Sequence, residues 1–377
     1  MVIKGIVYMK RLFKIMLKIF IIVSIIIVLA FLFIKLYKPF GSSPNKNDKN
    51  DYFKRSKIFK DGKFVNIKDS NTNDNYIDTF KDRTSGKDTT PLDEIPYKKY
   101  KYKKAKKDEV LITWFGHSSI LIQMHGLNIL VDPIFDKRSS PVSFVGPKRF
   151  SKVPVNINDL PKIDVILLTH DHYDHVSYKT LLSLEGKTTK FIVPLGIDKD
   201  LEKFGISKHK IQNMAWYEEI NIDGLSIISG PGRHFSGRYI FGHNDTLWSS
   251  WILKDEYHSI FDSGDTGYGN HFKEVYEKYG QIDFAILDGS QYNEKWHGVH
   301  MFPEESVEAS LDLHSKVSMV NHYGAYVLSN HSWDDPVERF TRRCEEKNVE
   351  YVAPLLGETF NIDQYKDYQT KWWKDIK

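Results

Sequence analysis

The run Val165-Ile166-Leu167-Leu168-Thr169, followed at once by His170-Asp171-His172-Tyr173-Asp174-His175, constrains this chain more than any other stretch. Four apolar residues and a threonine read as a short buried strand, so the polar cluster falls on the loop leaving the strand's carboxyl end. Loops carried by a rigid sheet are where catalytic groups concentrate. In a tight turn His170 and His172 face one way and can share one ion, while Asp174 and His175 can address a second. Neutral imidazole nitrogen and carboxylate oxygen are the donors that a borderline ion such as zinc accepts. A surface turn that merely collects histidines is the bland alternative, and the ligand types and their order speak against it.

With 377 residues, 41% hydrophobic and 14% aromatic, the chain has material for a substantial core, in two domains or one large one. The formal charge of +4 has its positive excess near the amino end, so no nucleic-acid partner is expected. The single cysteine, Cys344, excludes an intramolecular disulfide and a cysteine-based zinc cluster.

Ile19 to Ile34 carries no charge and is bounded by Lys18 and Lys35. Leu12 to Leu17 lengthens the apolar run, and a single membrane helix within residues 1–38 is expected, with Lys14, Lys18 and Lys35 snorkelling to the headgroups. A cleaved signal peptide would read similarly, but small residues at A-x-A spacing do not follow Ala30. The slight basic excess before the span places the amino end in the cytoplasm and the large domain outside the cytoplasmic membrane.

Residues 39–107 are expected to form a tether and an amino-terminal extension. Pro39 to Asn50 is rich in Gly, Ser, Pro, Asn and Lys and reads as the tether. Islands such as Ile58-Phe59 and Phe64-Val65-Asn66-Ile67 are candidates to pack on the main domain. From Tyr97 to Lys107 aromatic rings interleave with seven lysines, which suits either anionic headgroups or a solvated linker.

The remaining residues, 108–377, hold many short apolar runs. Val110 to Phe115, Ile120 to Gln123, Asn128 to Val131, Val165 to Thr169 and Phe191 to Pro194 read as strands, as do Leu225 to Ser229, Leu247 to Leu253, Ser259 to Asp262, Phe284 to Leu287 and Val317 to Asn321. Helices are expected at Ile197 to Phe204, Phe272 to Tyr279, Pro303 to Leu313 and Pro336 to Lys347, the last two with proline at the first position. Strands in two halves with interspersed helices imply an α/β fold of two sheets packed face to face and covered by helices.

Two ions need more ligands than the first cluster supplies, and strand ends downstream offer them. His234 follows Leu225 to Ser229, Asp265 follows Ser259 to Asp262, and His322 follows Val317 to Asn321. Taken singly, each histidine could be structural, and Asp265 could instead cap the turn it sits in.

The chain resembles the metallo-β-lactamase superfamily, and most closely the family of phospholipases D that hydrolyse N-acyl-phosphatidylethanolamine. The resemblance runs from about Ser56 to the carboxyl end. Besides the histidine cluster it rests on Trp114-Phe115-Gly116-His117-Ser118, Asp132-Pro133-Ile134-Phe135, Pro141 to Arg149, Asn244-Asp245-Thr246-Leu247-Trp248, Gly264-Asp265-Thr266-Gly267-Tyr268, His300 with Pro303-Glu304-Glu305, and His322-Tyr323-Gly324. It implies an αββα sandwich and a zinc-dependent phosphodiesterase, with His170, His172 and His234 on one zinc ion, Asp174, His175 and His322 on the other, and Asp265 bridging both. His300 would serve catalysis beside the substrate phosphate. Two zinc ions per chain are expected, with iron or manganese as the alternative native metals.

His117 and Asp132 are expected to orient ligands rather than bind metal. The pair Lys148-Arg149 either faces phosphate or closes a loop, and Tyr323 belongs with Phe235, Tyr239, Tyr268, Tyr292, Trp296 and Tyr326 as aromatic candidates for an acyl-chain channel or for the core. The expected partners are a phospholipid and the membrane, and the resemblance also suggests pairing of two chains. A fold of this kind hosts other chemistries, so a lactonase or other ester hydrolase, and a non-enzymatic membrane-tethered metal or lipid sensor, stand as the alternatives.

Overall fold

The computed structural model describes residues 2–67, 86–238 and 242–377. They fall into two compact units, Met1–Phe40 and Gly41–Lys377. The first is built on α1 (Val2–Leu36), whose apolar side chains from Tyr8 to Leu36 are exposed rather than packed.

The second unit opens with α2 (Lys46–Arg55), in a segment where the sequence suggests a tether. Asn45 is the reason: its side chain accepts hydrogen bonds from the backbone N–H of Asn47 (2.8 Å) and Asp48 (3.2 Å), and the Asp48 carboxylate accepts one from Asn45 N–H (2.8 Å). This reciprocal cap satisfies donors that a helix start leaves unpaired. Tyr52 then buries against Phe59 and Phe64 of a short hairpin, β1 (Phe59–Lys60) and β2 (Lys63–Phe64), in a cluster completed by Trp216, Leu247 and Trp248.

The first half of the domain supplies β3 (Leu111–Trp114), β4 (Ile120–Met124), β5 (Leu127–Val131), β6 (Ile163–Leu167), β7 (Thr188–Pro194) and β8 (Ile211–Met214). The second half supplies β9 (Glu219–Ile222), β10 (Leu225–Gly230), β11 (Ser250–Lys254), β12 (Ser259–Asp262), β13 (Phe284–Asp288) and β14 (Val317–Asn321); β15 (Thr359–Asn361) returns to the first sheet beside β3. The sheet orders are β15-β3-β4-β5-β6-β7-β8 and β14-β13-β12-β11-β10-β9. Strands β5 to β8 run parallel, as do β12 to β14.

Strand periodicity sorts side chains into three layers. On β6, Val165 and Leu167 enter the core between the sheets with Ile122, Ile129, Ile227, Trp251 and Ile260. Their neighbours Ile166 and Leu168 point the other way, onto α3 (Tyr178–Glu185) and α4 (Ile197–Phe204) through Leu181, Leu184, Leu201 and Phe204. The second sheet repeats the device with Ile252, Phe261 and Leu287 against α5 (His271–Tyr279) and α6 (Pro303–Asp312). A last helix, α7 (Asp335–Lys347), buries Val337, Phe340 and Cys344, a stripe at helical spacing.

The strand expected over Leu247 to Leu253 begins only at Ser250. Before that point the backbone bonds outward, Leu247 N–H to Leu195 O (2.8 Å) and Ser249 N–H to Thr169 O (2.9 Å), which ties the end of one sheet to the end of the other.

Candidate metal centre

Every candidate ligand leaves the carboxyl end of a strand: His170 to His175 after β6, His234 after β10, Asp265 after β12 and His322 after β14. The loops converge. His170, His172 and His234 offer ligand atoms that all lie within 4.8 Å of one another, with His172 Nδ1 2.9 Å from His170 Nε2 and 3.3 Å from His234 Nε2. Asp174, His175 and His322 form a second set on the same criterion, joined by His117. Asp265 stands between the sets: its Oδ2 is 3.7 Å from His170 Nε2 and 3.9 Å from His234 Nε2 on one side, and 3.1 Å from His175 Nε2 and 3.3 Å from His322 Nε2 on the other.

Glycine makes that convergence feasible. Gly264 has φ +55°, and a Cβ there would stand 2.8 Å from the Cβ of Thr169, so only glycine lets the β12 loop reach the histidine loop.

Buried carboxylates fix the imidazoles from behind. Asp132 accepts Thr169 N–H (2.8 Å) through one oxygen, and its other oxygen lies 2.7 Å from His175 Nδ1. His234 Nδ1 lies 3.0 Å from Val299 O, and His117 Nε2 lies 2.8 Å from Asp174 Oδ2. Such contacts set ring orientation and decide which nitrogen is left for a ligand. His117, Asp132 and His322 hold φ of +54°, +39° and +67°, a left-handed backbone that side chains other than glycine rarely adopt. Strain of this kind persists where the surroundings over-determine the geometry.

The electrostatics separate the two sets. Burial, reinforced by neighbouring imidazoles, holds His170 and His172 well below the usual histidine value, and burial brings His234 down to about 3, so these rings are neutral, the form that ligates. Desolvation works against charge on Asp265 as well, but His175 and His322 outweigh it and keep the carboxylate ionised. In return Asp265 and its neighbours overcome desolvation at His322 and raise it to about 10. The second set is thus a nest of carboxylates that draws positive charge.

The donor set fits divalent transition ions. It consists of imidazole nitrogens and carboxylate oxygens, and His175 Nε2 is buried without a hydrogen-bond partner between Asp174 and Asp265.

His300 lies close by, its ring 5.0 Å from that of His234 and 5.2 Å from that of His322, and its Nδ1 is 2.9 Å from Asp288 Oδ2. Asp288 ends β13 and also accepts Thr266 N–H (3.0 Å), beside Asp265. The sequence reading missed it, although a carboxylate closing an apolar strand, with Gly289 and Ser290 next, is the same signal that marks Asp265.

Other candidates are spent elsewhere. Lys148 is exposed, and Arg149 is buried with its guanidinium donating to Ile134 O (2.7 Å) and lying 4.9 Å over the Tyr326 ring, so it closes a loop. Tyr323 packs on Trp114 in the core. Tyr292 and Tyr326 give their hydroxyls to Asp335 and to Asp136 O, Tyr268 gives its own to Asp312, and Trp296 donates to Gln291 O. Phe235 does stand beside the site, 4.6 Å from the His172 ring, while Tyr239 lies outside the described residues.

Residues 127–323, just over half of the chain, match the family described as the beta-lactamase superfamily domain. An uncharacterised protein of Mycobacterium tuberculosis is 35% identical over 268 residues, covering 70% of this chain and 71% of the relative. N-acyl-phosphatidylethanolamine-hydrolyzing phospholipase D 1 of Caenorhabditis elegans is 30% identical over 264 residues, covering 65% of this chain and 74% of the relative. Among solved structures, a metallo hydrolase from Ignicoccus hospitalis superposes with a TM-score of 0.51 at 21% identity, over 67% of this chain and 97% of that one. With two helix-flanked sheets and histidines and aspartates gathered at their strand ends, the chain belongs to the metallo-β-lactamase superfamily, as a metal-dependent hydrolase of that fold.

Proposed function

We propose that the protein is a dinuclear zinc phosphodiesterase of the phospholipase D type, acting on N-acyl phosphatidylethanolamine or a related phospholipid to give phosphatidic acid and an N-acylethanolamine. The observation that carries this is Asp265 Oδ2 standing within 4 Å of imidazoles from both ligand sets. In this reading His170, His172 and His234 hold one ion, Asp174, His175 and His322 hold the other, and Asp265 serves both. When bound, such a pair supplies an acidified water as nucleophile and a Lewis acid for the phosphoryl oxygen.

The chain's own residues do the rest. Asp132, Val299 O and His117 keep the ligand rings and Asp174 in place, so that little reorganisation accompanies reaction. Attack by water oxygen on phosphorus breaks the bond to the ethanolamine oxygen. His300, held at Nδ1 by Asp288, delivers a proton from Nε2 to that departing oxygen.

The choice of lipid draws on the likeness to the C. elegans enzyme, whose name states its substrate. It also draws on α1, whose 29-residue candidate span, Tyr8–Leu36, with its basic residues toward the two ends, at about 1.5 Å per residue exceeds a hydrocarbon core of roughly 30 Å. A single span would keep the hydrolase domain beside its substrate, outside the cytoplasmic membrane.

Metal analysis coupled to lipid turnover tests the reading. Two zinc ions per chain, with chelator-sensitive release of N-acylethanolamine, are expected. Turnover confined to lactones or simple esters would discard the lipid assignment and keep the fold.

A further inference from the structure

Beyond α1, among the described residues, one place exposes two consecutive large apolar side chains: Phe144 at 78% and Val145 at 58%. They form the tip of a turn between Lys137 and Lys148. Its base is closed by Ser139 N–H to Pro147 O (3.0 Å), Arg149 N–H to Lys137 O (2.8 Å) and the Arg138 guanidinium to Gly146 O (2.5 Å). Gly146 has φ +101°, and a Cβ there would meet Ser140 Cβ at 2.7 Å, so the turn depends on glycine to fold this tightly. A turn built this firmly presents its apolar tip rather than hiding it.

The base of the turn is continuous with the metal centre. Arg149 donates to Ile134 O, two residues after Asp132, and Phe150 N–H donates to Ala325 O (2.9 Å), three residues after His322. The turn is therefore tied by hydrogen bonds at its base to the segments that follow Asp132 and His322.

We propose that the Phe144–Val145 tip is a membrane-contact element that inserts into a lipid surface while Lys137 and Lys148 engage anionic headgroups. Both lysines are exposed, and neither has an acidic partner among the described residues. Apolar residues flanked by lysine stems and ammonium groups match the change from acyl chain to phosphate across the interface. A second copy of the chain fits less well, because a two-fold contact at this tip would bring the same lysines against each other. The inference rests on the phospholipid reading for what the contact serves, but the contact itself is measured without turnover.

The one cysteine, Cys344, is buried, so single-cysteine labelling can be directed to chosen surface positions. The full chain carrying Phe144→Cys or Val145→Cys, labelled with a fluorophore, is reconstituted into phosphatidylcholine–phosphatidylglycerol vesicles that contain a spin-labelled lipid quencher. Leu92→Cys, at a position 90% exposed and followed by Asp93 and Glu94, reports a lone exposed apolar site away from the turn, and Ile26→Cys reports α1. Several-fold stronger quenching at 144 and 145 than at 92 is expected. Equal quenching at all three surface positions, or none at 144 and 145, overturns the proposal whatever Ile26→Cys shows, while failure at Ile26→Cys alone counts only against the span. A label at 144 shielded from both lipid and aqueous quenchers means that protein covers the tip, and also overturns it.

Discussion

Asp288 Oδ2 lies 2.9 Å from His300 Nδ1, and that contact decides which nitrogen of His300 can face a leaving group. The carboxylate is buried completely, and although desolvation opposes its charge, His300 and His322 keep it ionised. An imidazole backed this way is oriented and can carry a proton, which general acid catalysis requires.

His300→Ala is expected to lower kcat by about 10²- to 10⁴-fold while leaving two ions bound, since proton transfer and ligation use different residues. Asp288→Asn should give a smaller loss, again with metal retained. Metal analysis beside steady-state kinetics checks both. Loss of metal in His300→Ala would make that residue a ligand.

Asp265→Ala removes the group shared by both sets, and the expected outcome is loss of tight metal binding together with activity. Chelation of the parent protein should lower Tm as well, since ions held at a 100-fold excess over Kd stabilise the fold by about 3 kcal/mol. Calorimetry with and without chelator, compared with the variant, reads this directly.

Asp132→Asn tests the support behind His175. Its carboxylate holds His175 Nδ1 at 2.7 Å and Thr169 N–H at 2.8 Å, and loss of such a partner typically weakens metal affinity by about 10- to 100-fold. Competition with a zinc indicator measures the change, and unaltered affinity would make Asp132 a folding residue alone.

Away from the site, Glu304 of α6 pairs with Arg339 of α7 through two hydrogen bonds, 2.9 and 2.6 Å. Desolvation raises the Glu304 pKa, but Arg339 outweighs it, and the net shift is downward. A depressed carboxylate stabilises the fold above its unfolded pKa and loses that effect as pH falls through the folded value. Glu304→Gln should therefore cost about 0.5 kcal/mol at pH 7, after allowing for solvent screening, and nothing once pH lies well below the usual carboxylate range. Urea unfolding at several pH values checks the sign.

The histidine-rich loop and most of the sandwich were legible in the sequence because those signals are local. Apolar runs such as Ser259 to Asp262 and Val317 to Asn321 lead into the candidate ligands Asp265 and His322, and the structure has strands over those residues. Strands β8 and β9 were not legible: Ile211-Gln212-Asn213-Met214 and Glu219-Ile220-Asn221-Ile222 are short and half-polar, and their pairing comes from neighbours rather than from their own hydrophobicity. The helix from Lys46 was hidden by its polar composition, because the Asn45 and Asp48 cap shows only in the register of two residues. Asp288 escaped for a different reason. It lies 23 residues along the chain from Asp265, and only the parallel pairing of β12 with β13 makes them neighbours.

Hydrolysis of N-acyl phosphatidylethanolamine in ¹⁸O-labelled water by the zinc-loaded full chain tests the central claim most directly. Attack at phosphorus places the label in phosphatidic acid and leaves the N-acylethanolamine unlabelled, which is the expected result. Label in a released fatty acid, with the phosphodiester intact, would contradict the account and make the protein a carbonyl ester hydrolase on the same metal-binding fold.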